Sequence, residues 1–479
     1  MKKILPVLVS VAATLGLSAQ PALTIYNQNF AVVREKVALD LKAGITPVIF
    51  AGATSQLEPD SVVLRDPAGK VQLRVLEQSY RADVMSQALL LSLNEGRELD
   101  FLVRDQNGKE YTVRGKVIRS GYNPGGEPTA PIIEVDGKLR FSLPGEPIFP
   151  ALAGDGILKP TLTWQIGAEQ PAKLEAELGY ITGGMSWQAA YNLVAPEKGN
   201  TVDVVGWVTV GNHTGKQFDN ASIKLMAGDV HRVQPPVMRR AEMRDTVELS
   251  AFSVAAPVTE KAFDEFHLYT LPRAVTLRDK ETKQVEFMRA TGVVAAVIYV
   301  YDGASNFGRN YGNMIRDPGY GSQPGNKKVW VMREFKNSEE NKLGLPLPKG
   351  RVRFYRRDDA DGRIEFTGEN EIAHTAKNEL LRIMTGDAFD VVGERTRTDF
   401  QGNNRQDFAE ETFEIKVRNR KSEAIEVRVV EHLYRWSNWR IVEKSDDFTK
   451  KDAQTVEFRV NVPADTEKII TYRVRYEWK

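Results

Sequence analysis

The sequence predicts an all-β protein, built of antiparallel β-sandwich domains with a small β-barrel inserted among them. Three observations carry this expectation. Apolar and polar residues alternate with period two over long stretches, as in "TVDVVGWVTVGN" and "TVEFRVNV". Polar turns rich in Gly, Asn, Asp and Pro interrupt that alternation at short intervals. No stretch holds a 3.6-residue apolar period for more than a few turns.

The chain opens "MKKILPVLVSVAATLGLSAQPA", with Lys2 and Lys3 ahead of the apolar run Ile4 to Leu17 and small residues after it. This layout is that of a secretory signal peptide, residues 1–19, with cleavage after Ala19. The run is shorter than the roughly 20 apolar residues a membrane span needs. The expectation is export to the periplasm or the extracellular space, with no transmembrane span. Cleavage would remove two lysines and shift the formal charge from +1 to −1. A near-neutral chain has no global field to draw in nucleic acid. With no cysteine, disulfides, thiolate nucleophiles and cysteine-ligated metals are excluded together.

Residues 20–86 read as an N-terminal β-domain. Between 87 and 150 the strands shorten and the turns tighten ("GRELDFLV", "KEYTVRGKVIRSG", "PIIEVDGKLRFSL"), which predicts the small barrel. Residues 151–270 read as a first β-sandwich, with a Pro-containing linker at 231–262. Residues 271–479 read as a second sandwich. In the first, Val202, Val204, Val208 and Val210 share one face. In the second, Phe413, Ile415 and Val417 point inward, as do Ile425, Val427 and Val429. Residues 120–130 and 303–328 are Gly-rich and read as loops.

"RRDDADGRIEF", residues 356–366, resembles a calcium loop until the ligands are counted. With Gly362 at position 6, Arg357 falls at position 1 and Gly368 at position 12, where the ion needs carboxylates. Asp361-Gly362 between "VRFY" and "RIEF" is instead a hairpin signal. "GNHTGK", residues 211–216, lacks the spacing and the final Ser or Thr of a phosphate loop and reads as a turn. The five histidines lie 18, 36, 107 and 58 residues apart, too far for a local metal pair. His374 is the best lone candidate, with a hydrogen-bonded structural role as the alternative. No catalytic, cofactor-binding or metal residue is assigned, and no cofactor is implied.

The aromatic corner "EHLYRWSNWRIVE" is the one place read as a ligand surface, through Tyr434, Arg435 and Trp436. Parity puts Trp439 in the sandwich core and Trp436 in the turn, where packing covers it least, as a ligand contact or as a structural lid folded over the sandwich edge.

"GYITGGMSWQAAYNLV", "VVGWVTVGNHTGKQFDNASIKLMAGDV", "FHLYTLPRAVTLRDKETKQVEFM" and the later blocks from "PLPKGRVRFYRRDDADGRIEF" to "KKDAQTVEFRVNVPADTEKIITYRVRYEW" occur in one order. Over residues 175–479 they resemble the bacterial envelope family of domain of unknown function 4139, whose relatives include mucoidy inhibitor A-like proteins. "LEPDSVVLRD" is similar to the N-terminal module of those relatives, but the coiled coil that usually follows it there has no heptads here. The resemblance implies a β-sandwich and an envelope role touching exopolysaccharide, and supplies no catalytic residues. Two readings follow. One is a non-enzymatic binding or scaffold protein with an envelope polysaccharide or a protein as partner. The other is a carboxylate-dependent enzyme acting on envelope glycans or peptides.

Overall fold

The structure, a computed structural model, describes residues 20–105, 107–123, 126–127, 129–150, 156–228, 230–232, 259–263, 265–307, 315–402 and 408–478. The signal peptide and most of the expected 231–262 linker lie outside the described residues, as does 308–314 of the expected loop. The fold is all-β, with one short α-helix, Gln87–Leu93. Two compact units are each discontinuous in sequence. The first takes the described residues of Met1–Ser186 with Gly211–Leu225 and Arg273–Thr282. The second takes Trp187–Val210, the described residues of Met226–Pro272, and Lys283–Lys479.

In the first unit the strands Phe218–Ala227, Ala22–Tyr26, Phe30–Leu41, Ala172–Gly183 and Val63–Arg65 lie side by side in that order, and Val275–Leu277 also pairs with Phe218–Ala227. A three-stranded antiparallel sheet places Thr161–Ala168 between Gly44–Ala51 and Arg74–Arg81. Lys216 bridges these layers. Its Nζ lies 2.6 Å from Glu35 Oε1 and 5.4 and 5.6 Å from the ring centroids of Phe50 and Phe218. The "GNHTGK" segment that carries it is a turn held by Asn212, whose Nδ2 donates to the carbonyl of Lys216 at 2.9 Å.

Residues 98–148 form a five-stranded antiparallel sheet, ordered Glu146–Ile148, Glu98–Arg104, Glu110–Arg119, Ile132–Val135, Lys138–Arg140. Its two outer strands do not pair with each other among the described residues, so the sheet is open and the expected barrel is not closed. Both outer strands have only three residues, too little backbone to zip a barrel shut. Leu91 of the helix instead packs with Leu99, Phe101, Val117, Ile133 and Val135 into a small core. Gly115 makes room for it: a Cβ there would meet Ile133 Cγ2 at 2.9 Å.

The second unit holds a five-stranded sheet in the order Glu281–Val294, Thr201–Asn212, Met185–Ala195, Gly350–Arg357, Ile364–Ile372. It also holds a nine-stranded sheet in the order Trp439–Lys444, Thr466–Glu477, Phe408–Asn419, Leu380–Gly402, Lys328–Lys336, Ala296–Asp302, Ile425–His432, Thr455–Val462, Phe448–Lys450. The predicted inward residues are buried: Val202, Val204, Val208 and Val210 on one strand, Phe413, Ile415 and Val417 on another, Ile425, Val427 and Val429 on a third. Two pairings depart from the antiparallel expectation. Met185–Ala195 runs parallel to Gly350–Arg357, and Ala296–Asp302 parallel to Ile425–His432. Each joins strands more than 100 residues apart, the long connection that a parallel pair requires.

The "RRDDADGRIEF" stretch is a hairpin. Gly350–Arg357 pairs antiparallel with Ile364–Ile372, and Gly362 takes φ +75°, which suits glycine. The aspartates serve the turn itself: Asp358 Oδ1 accepts from Ala360 N–H at 2.7 Å and Asp361 Oδ1 from Arg363 N–H at 2.9 Å.

Candidate functional site

The inward parity that fills the core of the nine-stranded sheet turns from hydrocarbon to charge at one end. On Phe408–Asn419 the buried series Val417, Ile415, Phe413 continues to Glu411. From Ile425, Val427 and Val429 it continues to Glu431, then past the strand end to Leu433 and Arg435. On Leu380–Gly402 it runs from Val391 to Arg395. Four charged side chains are thereby carried inside, where each needs a partner.

They find one another. Arg395 Nε donates to both oxygens of Glu431, at 3.0 and 2.9 Å. The hydroxyl of Tyr472 donates to the same carboxylate. The Arg395 guanidinium also lies over the Phe413 ring, 3.9 Å from its centroid. Arg435 meets Glu411 through Nη2 at 2.7 Å and Nε at 3.1 Å, and Arg397 donates to Glu411 at 3.0 Å. Burial pushes the Tyr472 and Tyr476 phenols well above their usual value. Burial alone would pull Arg395 down, but Glu431 and Tyr472 hold it above the ordinary guanidinium value.

Three guanidinium groups face two carboxylates, and the surplus donors go to loop backbone. Arg435 Nη1 reaches the carbonyls of Ile315 and Asp317 at 2.8 and 2.9 Å, and its Nη2 reaches that of Tyr320 at 2.9 Å. Arg397 donates to the Tyr320 carbonyl at 2.9 Å and Arg395 to that of Gly321 at 3.3 Å. The described part of the Gly-rich loop is thus fastened from beneath by charge-assisted bonds.

Against this clamp lies a cavity of about 10 Å3 lined by Phe307, Tyr320, Arg395, Glu411, His432 and Tyr434. It has room for about one water molecule, so a larger ligand would rest on its rim. At the rim, His432 Nε2 lies 2.8 Å from Asp302 Oδ2, and the Tyr434 ring stacks on the imidazole at 4.7 Å and 14°. Asp302 is fixed by accepting the Ala304 N–H at 3.1 Å.

The three residues singled out in the sequence fall at this end but differ in position. Tyr434 is half-buried on the rim. Arg435 is wholly enclosed, so its contacts are with the protein. Trp436 is half-buried on the core, edge-to-face with Trp478 at 6.3 Å. Trp439 is not sealed in the core as parity suggested. Its strand is the outermost of the nine, so one side of the ring stays open, with Lys450 Nζ 4.8 Å above it and its Nε1 donating to the carbonyl of Ala453. His374 is exposed, and its Nδ1 accepts from Lys349 N–H at 3.2 Å. Sequence reasoning missed Arg395, Glu411 and Glu431. Each stands on an inward parity, and that was the available signal.

Residues 176–479 match the family model described as Domain of unknown function (DUF4139). The chain belongs to that family. No curated protein matches it. Every residue of the clamp lies inside the DUF4139 segment, as do the Gly350–Ile372 hairpin and the aromatic corner. The five-stranded sheet at 98–148 lies outside it. Among the described residues no helix is long and apolar enough to cross a membrane.

Proposed function

We propose that this chain is an exported envelope protein that works by binding rather than catalysis, its partner an envelope polysaccharide or another envelope protein. The clamp carries this reading. The clamp arginines spend five hydrogen bonds on the backbone between Ile315 and Gly321, and a loop held in one shape loses less entropy when a ligand lands on it. The aromatic rim of Tyr434, Phe307 and Tyr320 suits the apolar face of a sugar or a partner side chain. The signal-peptide layout of residues 1–19 and the resemblance to mucoidy inhibitor A-like proteins support the envelope setting.

Two measurements test it. Intact mass of protein from the native envelope should correspond to a chain beginning at Gln20, and a retained Met1 would overturn export. Tyr434→Ala should weaken retention on immobilised envelope polysaccharide or partner protein about tenfold at unchanged melting temperature, in line with an aromatic contact of about 1.4 kcal/mol. Retention equal to wild type would remove the rim from the reading.

The hydrogen-bonded Asp302–His432 pair favours a second reading, acid–base chemistry at the rim. Turnover of envelope glycans or peptides by the purified protein, abolished by His432→Ala, would establish it in place of the first.

A further inference from the structure

Four arginines are buried among the described residues, and three meet a carboxylate: Arg395 with Glu431, Arg435 with Glu411, Arg428 with Glu334. Arg333, only 3% exposed, is the exception. Its Nη1 donates to the carbonyls of Gly199 and Ala295 at 3.1 and 3.0 Å, and no carboxylate oxygen lies within 4.0 Å among the described residues. A guanidinium has five N–H donors. The Nε and Nη2 donors of Arg333 have no acceptor among the described residues, yet neither atom is among the polar atoms sealed from solvent without a partner. That edge is open to something arriving from outside.

A second unpaired cation stands close by. Arg356, exposed on Gly350–Arg357, is the parallel register partner of Ala195, at the start of the 195–201 turn that carries Gly199. It too has no carboxylate within 4.0 Å among the described residues. Burial first, and then the Arg356 charge, pull the Arg333 pKa below its usual value, with Tyr299 opposing. Of the nearby carboxylates, Asp203 Oδ1 accepts from Gly292 N–H at 2.8 Å and Glu197 Oε2 from Asp359 N–H at 3.2 Å, while Glu365 stands opposite Arg356 in the strand register without coming within 4.0 Å of its guanidinium.

We propose that Arg333 and Arg356 form a binding site for an oxyanion, the carboxylate or phosphate group of a ligand at the 195–201 turn. Two neighbouring cations with no carboxylate in contact repel each other, and a buried one is costly to leave unpaired. One anion relieves both. Two oxygens on one carbon or phosphorus match the free Nε/Nη2 fork of Arg333, and Arg356 closes the site from the solvent side. This assignment goes beyond the loop-binding reading and uses none of its residues.

The test is calorimetric titration of the full mature chain with sodium phosphate, with sodium glucuronate, and with sodium chloride at matched ionic strength. Saturable binding of phosphate, of glucuronate, or of both supports the site and tells which group it takes, with chloride giving none. Arg356→Gln should weaken that binding at least tenfold at an unchanged ligand-free melting temperature, and Arg356→Lys should recover it in part. Tyr434→Ala should leave it untouched, which separates this site from the loop rim. Absence of saturable binding by both oxyanions, or wild-type affinity in Arg356→Gln, would overturn the assignment.

Discussion

Arg435 and Glu411 form an ion pair with almost no contact with water, at 0% and 3% side-chain exposure, and 24 residues apart in sequence. Removing the arginine leaves Glu411 with Arg397 as its cation and releases the carbonyls of Ile315, Asp317 and Tyr320. Arg435→Ala should cost about 3–5 kcal/mol, the usual loss when one member of a buried pair is deleted. Arg435→Lys should recover little, since an ammonium cannot reproduce the fork. Urea midpoints would measure the loss, and proteolysis between Ile315 and Gly321 should accelerate. Wild-type stability in the alanine variant would mean that the clamp is ornamental.

Glu334 offers an acid-side test. Hydrogen bonds from Arg428 and Arg382 outweigh partial burial and hold its carboxyl at about 2, against an ordinary 4.5. A depressed folded-state pKa contributes stability above the unfolded value and loses it as pH falls through the folded one. The window is therefore pH 4.5 down to about 2, and the contribution is on the order of 3 kcal/mol. Glu334→Gln should flatten the stability profile across that window. An unchanged slope there would show that the two arginines do not act on this carboxyl.

On the alkaline side, burial raises the phenols of Tyr180, Tyr191, Tyr472 and Tyr476 well above 10.0. In the unfolded chain they ionise near 10.0 while the folded chain keeps them neutral. Stability is thus intact below that pH and falls as pH rises above it, by about 1.4 kcal/mol per unit for each such tyrosine. The phenolate absorbance of these four should appear together with unfolding rather than ahead of it. Titration of all tyrosines in a folded chain would contradict the burial.

Gly393 lies against the Tyr301 ring, and a Cβ added there would stand 2.0 Å from Cε2 and 2.2 Å from Cδ2. Tyr301 is itself enclosed, with its hydroxyl donating to the Asn326 carbonyl at 2.7 Å. Gly393→Ala should therefore destabilise by about 3 kcal/mol or more, as overpacking does. A paired Tyr301→Ala substitution should return part of that loss, which a double-mutant cycle would read.

Trp436 and Trp439 both pack half-buried on one core cluster. Each alanine substitution should cost about 1–3 kcal/mol, less than a sealed tryptophan would. A loss from Trp439→Ala at the level of a sealed core residue would restore the parity expectation.

Most of the architecture was legible because period two is a direct image of a sheet with one wet face, as "TFEIKV" and "IEVRVV" show. The barrel expectation failed because short strands with tight turns describe an open sheet equally well; closure depends on whether the outer strands meet. The clamp was hidden for another reason. Glu411, Glu431 and Arg395 look like solvent residues by type, and only their parity places them inside. Their side-chain partners lie between 14 and 41 residues away, on other strands or in the turn after one. Arg333 was invisible altogether, since its distinction is the lack of a carboxylate partner among the described residues, which no spacing encodes.

The order in which the first unit receives its parts has a consequence for biosynthesis. Its sheet takes Val275–Leu277 beside Phe218–Ala227, and the turn at Gly215 has its N–H held by Asp279 at 2.9 Å. A nascent chain synthesised only as far as residue 270 therefore holds almost all of that unit without being able to finish it. Completion waits until a stretch of ten residues, Arg273–Thr282, has been made. A chain built this way completes its first unit only after more than half of its synthesis.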